Sequence, residues 1–122
     1  VTVAASGVVA PAWRSLHEGD FHNTVGQWPG RTLLLFGQPG CGACRRAEAV
    51  VPAALAGVVQ HFVKIDAAAQ AALAREFDVF HLPAMHLYID GRYHAPLHCE
   101  LTTEALRAAV VRVACAPAAE AP

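Results

Sequence analysis

Cys41, Gly42, Ala43 and Cys44 carry the strongest chemical signal in the chain. Two cysteines separated by two residues can serve as a redox dithiol or as half of a zinc site. Their surroundings favour the dithiol. A continuous apolar run, Thr32 to Phe36, reads as a central strand buried on both faces. It ends in the turn Gly37-Gln38-Pro39-Gly40, and the cysteines then open a helix. A helix N-terminus presents unpaired N–H groups and a partial positive charge, which stabilise a thiolate and lower its pKa below the free value of about 8.5. Cys41, at the exposed end, is expected to attack; Cys44, one turn further in, is expected to resolve the mixed disulfide. Arg45 and Arg46 follow, but long arginines pointing into water add little.

A zinc site is the competing reading, because His94 and His98 have the spacing of a second ligand pair. His94 lies 50 residues after Cys44, however, where a finger would place it roughly 12–15 residues on. No metal site is therefore assigned, and no cofactor is expected, since the cysteines carry the electrons themselves.

The elements that must position this pair can be read in order. Trp13 to Leu16 suits a short edge strand, and Gly19-Asp20 starts a helix carrying Phe21 and Val25. The cysteine-bearing helix is expected over Cys41 to Ala56, interrupted at Pro52 and ended by Gly57. Val58 to Ile65 reads as a strand, and Asp66 as the N-cap of a short helix with Leu73 and Phe77 on one face. Ala84 to Ile89 and Arg92 to Leu97 form a hairpin about Asp90-Gly91. A last helix starts at Thr102 or Thr103 and buries Leu106, Ala109, Val110 and Val113. The order is β-α-β-α-β-α-β-β-α, an α/β domain with a mixed sheet between helices.

Composition narrows the partners. With 122 residues there is room for one domain, and 55% hydrophobic residues can build its core. Nine Lys+Arg against ten Asp+Glu supply no cationic field for nucleic acid or an anionic membrane surface. No stretch reaches the ~18–20 apolar residues of a transmembrane helix. The domain is expected over 13–114, with flexible segments at 1–12 and 115–122. Four cysteines are too few for a disulfide-stapled mini-protein. The compartment stays open between cytoplasm and periplasm, with a lean to the cytoplasm because residues 1–12 do not read as a signal peptide.

The sequence resembles the thioredoxin superfamily over about Leu16 to Val113. The matching segments are LLLFGQPGCGAC (Leu33 to Cys44), VKID (Val63 to Asp66) and FDVFHLPAMHLYIDG (Phe77 to Gly91). The resemblance implies a thioredoxin fold in which Pro83 opens a strand with a cis peptide bond beside the dithiol. It also implies that the backbone of Leu82 pairs with an extended substrate. Gly40, Gly42, Ala43, Leu82 and Pro83 are the expected substrate-binding residues.

The chain departs from thioredoxins proper at four places. Gly40 stands where they have Trp, and Gly42-Ala43 stands for Gly-Pro between the cysteines. Their buried Asp is replaced by Leu35, and its Lys neighbour, counted back from Asp66, by Phe62. The residues that manage the proton of the second cysteine are thus apolar in this chain. His81, two residues before Pro83, and His98 and Cys99, 15 and 16 residues after it, are the candidate accessory groups; His86 lies on the following strand. Cys99 and Cys115 should not be joined, because a helix between them would span ~18 Å. Trp13 and Trp28 read as packing residues.

The expected function is a thiol–disulfide oxidoreductase acting as a monomer on protein disulfides or dithiols, turned over by a separate redox partner. Two alternatives use the same residues: a redox-weak binding or assembly module, and a metal-binding module.

Overall fold

The computed structural model describes residues 12–122, so the expectation of a flexible segment over 1–12 lies, Ala12 apart, outside the described residues. The elements follow the expected order: β1 (Trp13–Ser15), α1 (Phe21–Val25), β2 (Arg31–Gly37), α2 (Gly42–Ala54), β3 (His61–Asp66), α3 (Ala71–Glu76), β4 (Ala84–Ile89), β5 (Arg92–Leu97) and α4 (Thr103–Cys115). The strands form one sheet in the order β1-β3-β2-β4-β5. β3 runs parallel to both β1 and β2, whereas β4 is antiparallel to β2 and β5.

β2 is central, which explains its unbroken apolar run. Leu33 and Leu35 point to one side, into a cluster with Ala47, Val51, Leu106 and Val110 from α2 and α4. Leu34 and Phe36 point to the other, against Phe21, Phe77 and Tyr88. Alternation of side chains along a strand thus feeds two cores at once. At the hairpin, Asp90 and Gly91 have φ of 52° and 80°, the left-handed pair that a two-residue turn requires. A side chain at position 91 would collide with the carbonyl of Gly26.

Pro52 lies inside α2 and cannot donate to the carbonyl of Glu48. The indole N–H of Trp13 takes that place at 2.9 Å. Trp13 also meets Phe62 edge-on, with ring centroids 5.7 Å apart. Trp28 stacks on His61 at 4.6 Å and lies beneath the guanidinium of Arg14 at 4.9 Å. Arg107 of α4 donates to the carbonyls of Ala54 and Ala56, satisfying the end of α2.

Several boundaries shift by one residue from the sequence expectation, and the larger departures lie between α2 and α3. α2 stops at Ala54 with Leu55 as its cap, and residues 55–60 turn before β3 begins at His61. There the carbonyl of Leu55 accepts from both Val58 and Val59, and Gly57 has a φ of 81°. Asp66 does not cap α3, because its carboxylate is committed to a tight turn, accepting from Ala68 and Ala69. The cap comes instead from a distant segment: Glu18 accepts from the amides of Ala72 and Leu73, while Gln70 accepts from the amide of Glu18. Val113 is only partly buried, packing at the margin of the α2–α4 cluster. Past α4, the amide of Ala119 donates to the carbonyl of His94 on β5 at 2.6 Å.

Candidate functional site

β2 delivers the chain to the turn 38–40, where Gly40 takes a φ of 84° and redirects it into α2. Cys41 is the N-cap residue of α2, and its Sγ accepts from the amide of Cys44 at 3.1 Å. The helix therefore aims a backbone donor at the first sulfur, the local geometry that stabilises a thiolate. Cys41 and Cys44 are joined in a disulfide, with Cα atoms 5.2 Å apart. Cys41 is partly exposed and Cys44 is fully buried. Gly37 makes that burial feasible: a Cβ there would stand 3.1 Å from Cys44 Cβ and 3.4 Å from its Sγ.

Gly40, Gly42 and Ala43 are exposed around the first sulfur's turn of chain. The Leu82–Pro83 peptide bond is cis and leads directly into β4. Leu82 packs against the Phe36–Phe77 cluster, and Phe80, three residues before Pro83, is 83% exposed. His81 is exposed as well.

The other candidate groups are placed differently from one another. Among the described residues, no side-chain hydrogen bond joins His81, His98 or Cys99 to the cysteine pair. His98 is exposed and acts electrostatically on His86, whose pKa is lowered to about 4, chiefly by burial and then by His98. His86 belongs to the core: its Nδ1 lies 2.9 Å from the Tyr93 hydroxyl, and the ring of Phe77 meets it at 5.0 Å. Cys99 is a free thiol packed at the margin of the α2–α4 cluster. Burial pushes its pKa up and Glu100 adds to this, while Arg112 opposes it. Cys115 is free and exposed at the end of α4. Among the described residues, no three His, Cys, Asp or Glu side chains come together in a way that could hold a metal ion.

The sequence reading missed one charged pair. Leu35 and Phe62 are apolar and buried as expected, but Lys64 Nζ reaches Glu48 Oε1 at 3.0 Å across the neighbouring space. Leu35 and Lys64 are register partners on β2 and β3, and Glu48 comes down from α2. Leu35, Gly37, Arg45, Glu48, Lys64 and Asp66 all line a cavity of about 540 Å³. Glu48 is four residues after Cys44, on the same helix face one turn along. That spacing, together with the chain's one lysine lying two residues from Phe62 on the same strand face, was the available signal.

A Cys-x-x-Cys pair on the first turn of the helix that follows a central strand, within this five-stranded mixed sheet, defines a thioredoxin-fold domain. The family model described as Thioredoxin matches residues 12–112, and the chain belongs to that family. Among solved structures, it is similar to a point mutant of thioredoxin from Halobacterium salinarum NRC-1, with 22% identity and a TM-score of 0.71 over 95% of this chain and 100% of that one. It is similar to the thioredoxin NaTrxh from Nicotiana alata, at 24% identity and a TM-score of 0.62 over 79% of this chain and 88% of that one. Similarity also extends to the zinc-bound form of human ERp44, with 14% identity, a TM-score of 0.69 and 82% of this chain covered; the match spans 30% of that longer protein. No curated protein matches the sequence.

Proposed function

We propose that this chain is a thiol–disulfide oxidoreductase whose substrates are protein disulfides or dithiols. The observation that carries the reading is the asymmetry of the pair: Cys41 partly exposed at the helix cap, Cys44 buried one turn behind it and bonded to it. In the reducing direction the Cys41 thiolate attacks a substrate sulfur and forms a mixed disulfide. Cys44 then attacks Cys41 Sγ, closing the intramolecular disulfide and releasing the substrate as a dithiol. In the oxidising direction the same steps run backwards. Gly40, Gly42, Ala43, Leu82 and Pro83 form the surface that receives the substrate backbone, an extended segment pairing beside the cis bond. A separate redox partner returns the pair to its starting state, and the chain works as a monomer without a cofactor.

Trapping tests this assignment. Cys44→Ser leaves the attacking thiol but removes the resolving one, so it should accumulate a mixed disulfide with a protein substrate such as oxidised insulin. Cys41→Ser should accumulate none. Equal trapping by both variants, or by neither, contradicts these two roles.

A further inference from the structure

We propose that Glu48 is the group that takes the proton from Cys44 in the resolving step, held in place by Lys64 and Trp13. The inference rests on the oxidoreductase reading above and names the proton-transfer residue of that same site.

Only a thiolate attacks a disulfide, and a thiol enclosed by apolar groups does not ionise readily. Cys44 is fully buried against Gly37 and needs a nearby acceptor to become a nucleophile. Leu35 cannot accept a proton. His81, His98 and Cys99 make no hydrogen bond to the pair among the described residues. Glu48 is one helical turn from Cys44 and lines the cavity that Gly37 and Leu35 also line.

Glu48 is held from two directions, one bond to its carboxylate and one to its backbone. Lys64 binds Oε1 at 3.0 Å, while Oε2 has no protein partner among the described residues. Trp13 donates to the carbonyl of the same residue, fixing the helix backbone where Pro52 leaves it unbonded. The charged groups facing Glu48 across the cavity are Lys64 and Asp66 from β3 and Arg45 from its own helix.

The step balances. The Cys44 Sγ–H proton passes to the Glu48 carboxylate, one turn along the same helix face. The Cys44 thiolate forms a bond to Cys41 Sγ, and the bond from Cys41 Sγ to the substrate sulfur breaks. That sulfur leaves with the electron pair as a thiolate. The substrate disulfide has then gained two electrons, and Cys41 and Cys44 have lost two. In the reverse direction the protonated Glu48 returns the proton to Cys44 as it leaves.

The test uses the full chain with Cys99→Ala and Cys115→Ala, reduced and mixed with excess dithiobis-nitrobenzoate. A first, concentration-dependent release of chromophore reports attack by Cys41. A second, concentration-independent release reports closure by Cys44. In Glu48→Gln the second phase should slow roughly 100-fold near neutral pH. It should also rise about tenfold per pH unit, as for an unassisted thiol, while the first phase stays within about twofold. Lys64→Met breaks the same ion pair but keeps the carboxylate, so its second phase should stay within about fivefold of the parent. An unchanged second phase in Glu48→Gln, or equal slowing in both variants, overturns the assignment to Glu48 and leaves the oxidoreductase reading standing. Absence of any second phase in the parent protein removes both.

Discussion

The indole N–H of Trp13 donates to the carbonyl of Glu48 at 2.9 Å, making the bond that Pro52 cannot make four residues further along α2. An edge strand thus supplies a hydrogen bond missing from the helix that carries the cysteines. The same residue offers its carboxylate to Lys64, so backbone and side chain of Glu48 are both tethered to strands.

This relationship predicts a coupling. Trp13→Phe keeps the edge contact with Phe62 but leaves the Glu48 carbonyl without a donor, which should lower stability by about 1–2 kcal/mol in urea unfolding. In a Pro52→Ala background the restored helical N–H makes the indole redundant. The cost of Trp13→Phe should then fall to less than about 0.5 kcal/mol. An equal cost in both backgrounds would mean that the indole acts through packing alone.

His86 predicts how stability responds to acid. Its pKa is about 4 in the folded protein, below its ordinary value near 6.5, because burial and the neighbouring His98 disfavour the charged ring. The unfolded chain therefore takes up the proton first as pH falls. This contribution is complete above about pH 6.5 and is lost progressively down to about pH 4, roughly 2–3 kcal/mol in all once solvent screening of the partly accessible ring is allowed for. Urea midpoints measured across that range should decline for the wild-type chain and decline less for His86→Phe. Parallel curves would contradict the assignment to His86.

Gly37 predicts a steric limit beside the second cysteine. A methyl group there would approach Cys44 Cβ to 3.1 Å, and a residue in the first turn of α2 has little room to yield. Gly37→Ala should destabilise the chain by roughly 1–3 kcal/mol. A change below about 0.5 kcal/mol would show that the helix start moves freely.

Much of this architecture was legible in the residues. The unbroken run of β2, the Asp90-Gly91 turn and the cysteines opening α2 each follow from one local rule, and each occurs as expected. The misreadings share a different origin. Asp66 satisfies the local pattern of an N-cap, but the donors at the start of α3 are bonded by Glu18, more than fifty residues away. Likewise, counting along β3 to Phe62 finds an apolar residue, whereas the charge sits on Lys64 and meets Glu48 across two elements. Trp13 reads as simple packing in the sequence because its partner is a carbonyl freed by Pro52, 39 residues on. Local signals define elements; a bond made between elements distant in sequence leaves no periodic trace.

A reversible redox couple between Cys41 and Cys44 is open to a redox equilibrium titration. The full chain would be equilibrated in glutathione or dithiothreitol buffers of graded potential, thiol-trapped, and mapped by mass at all four cysteines. A single two-electron transition confined to Cys41 and Cys44 is expected, with Cys99 and Cys115 reduced across it. Its midpoint should fall within the family's span of about −270 to −120 mV. Failure of Cys41 and Cys44 to pair, or pairing of either with Cys99, would contradict it.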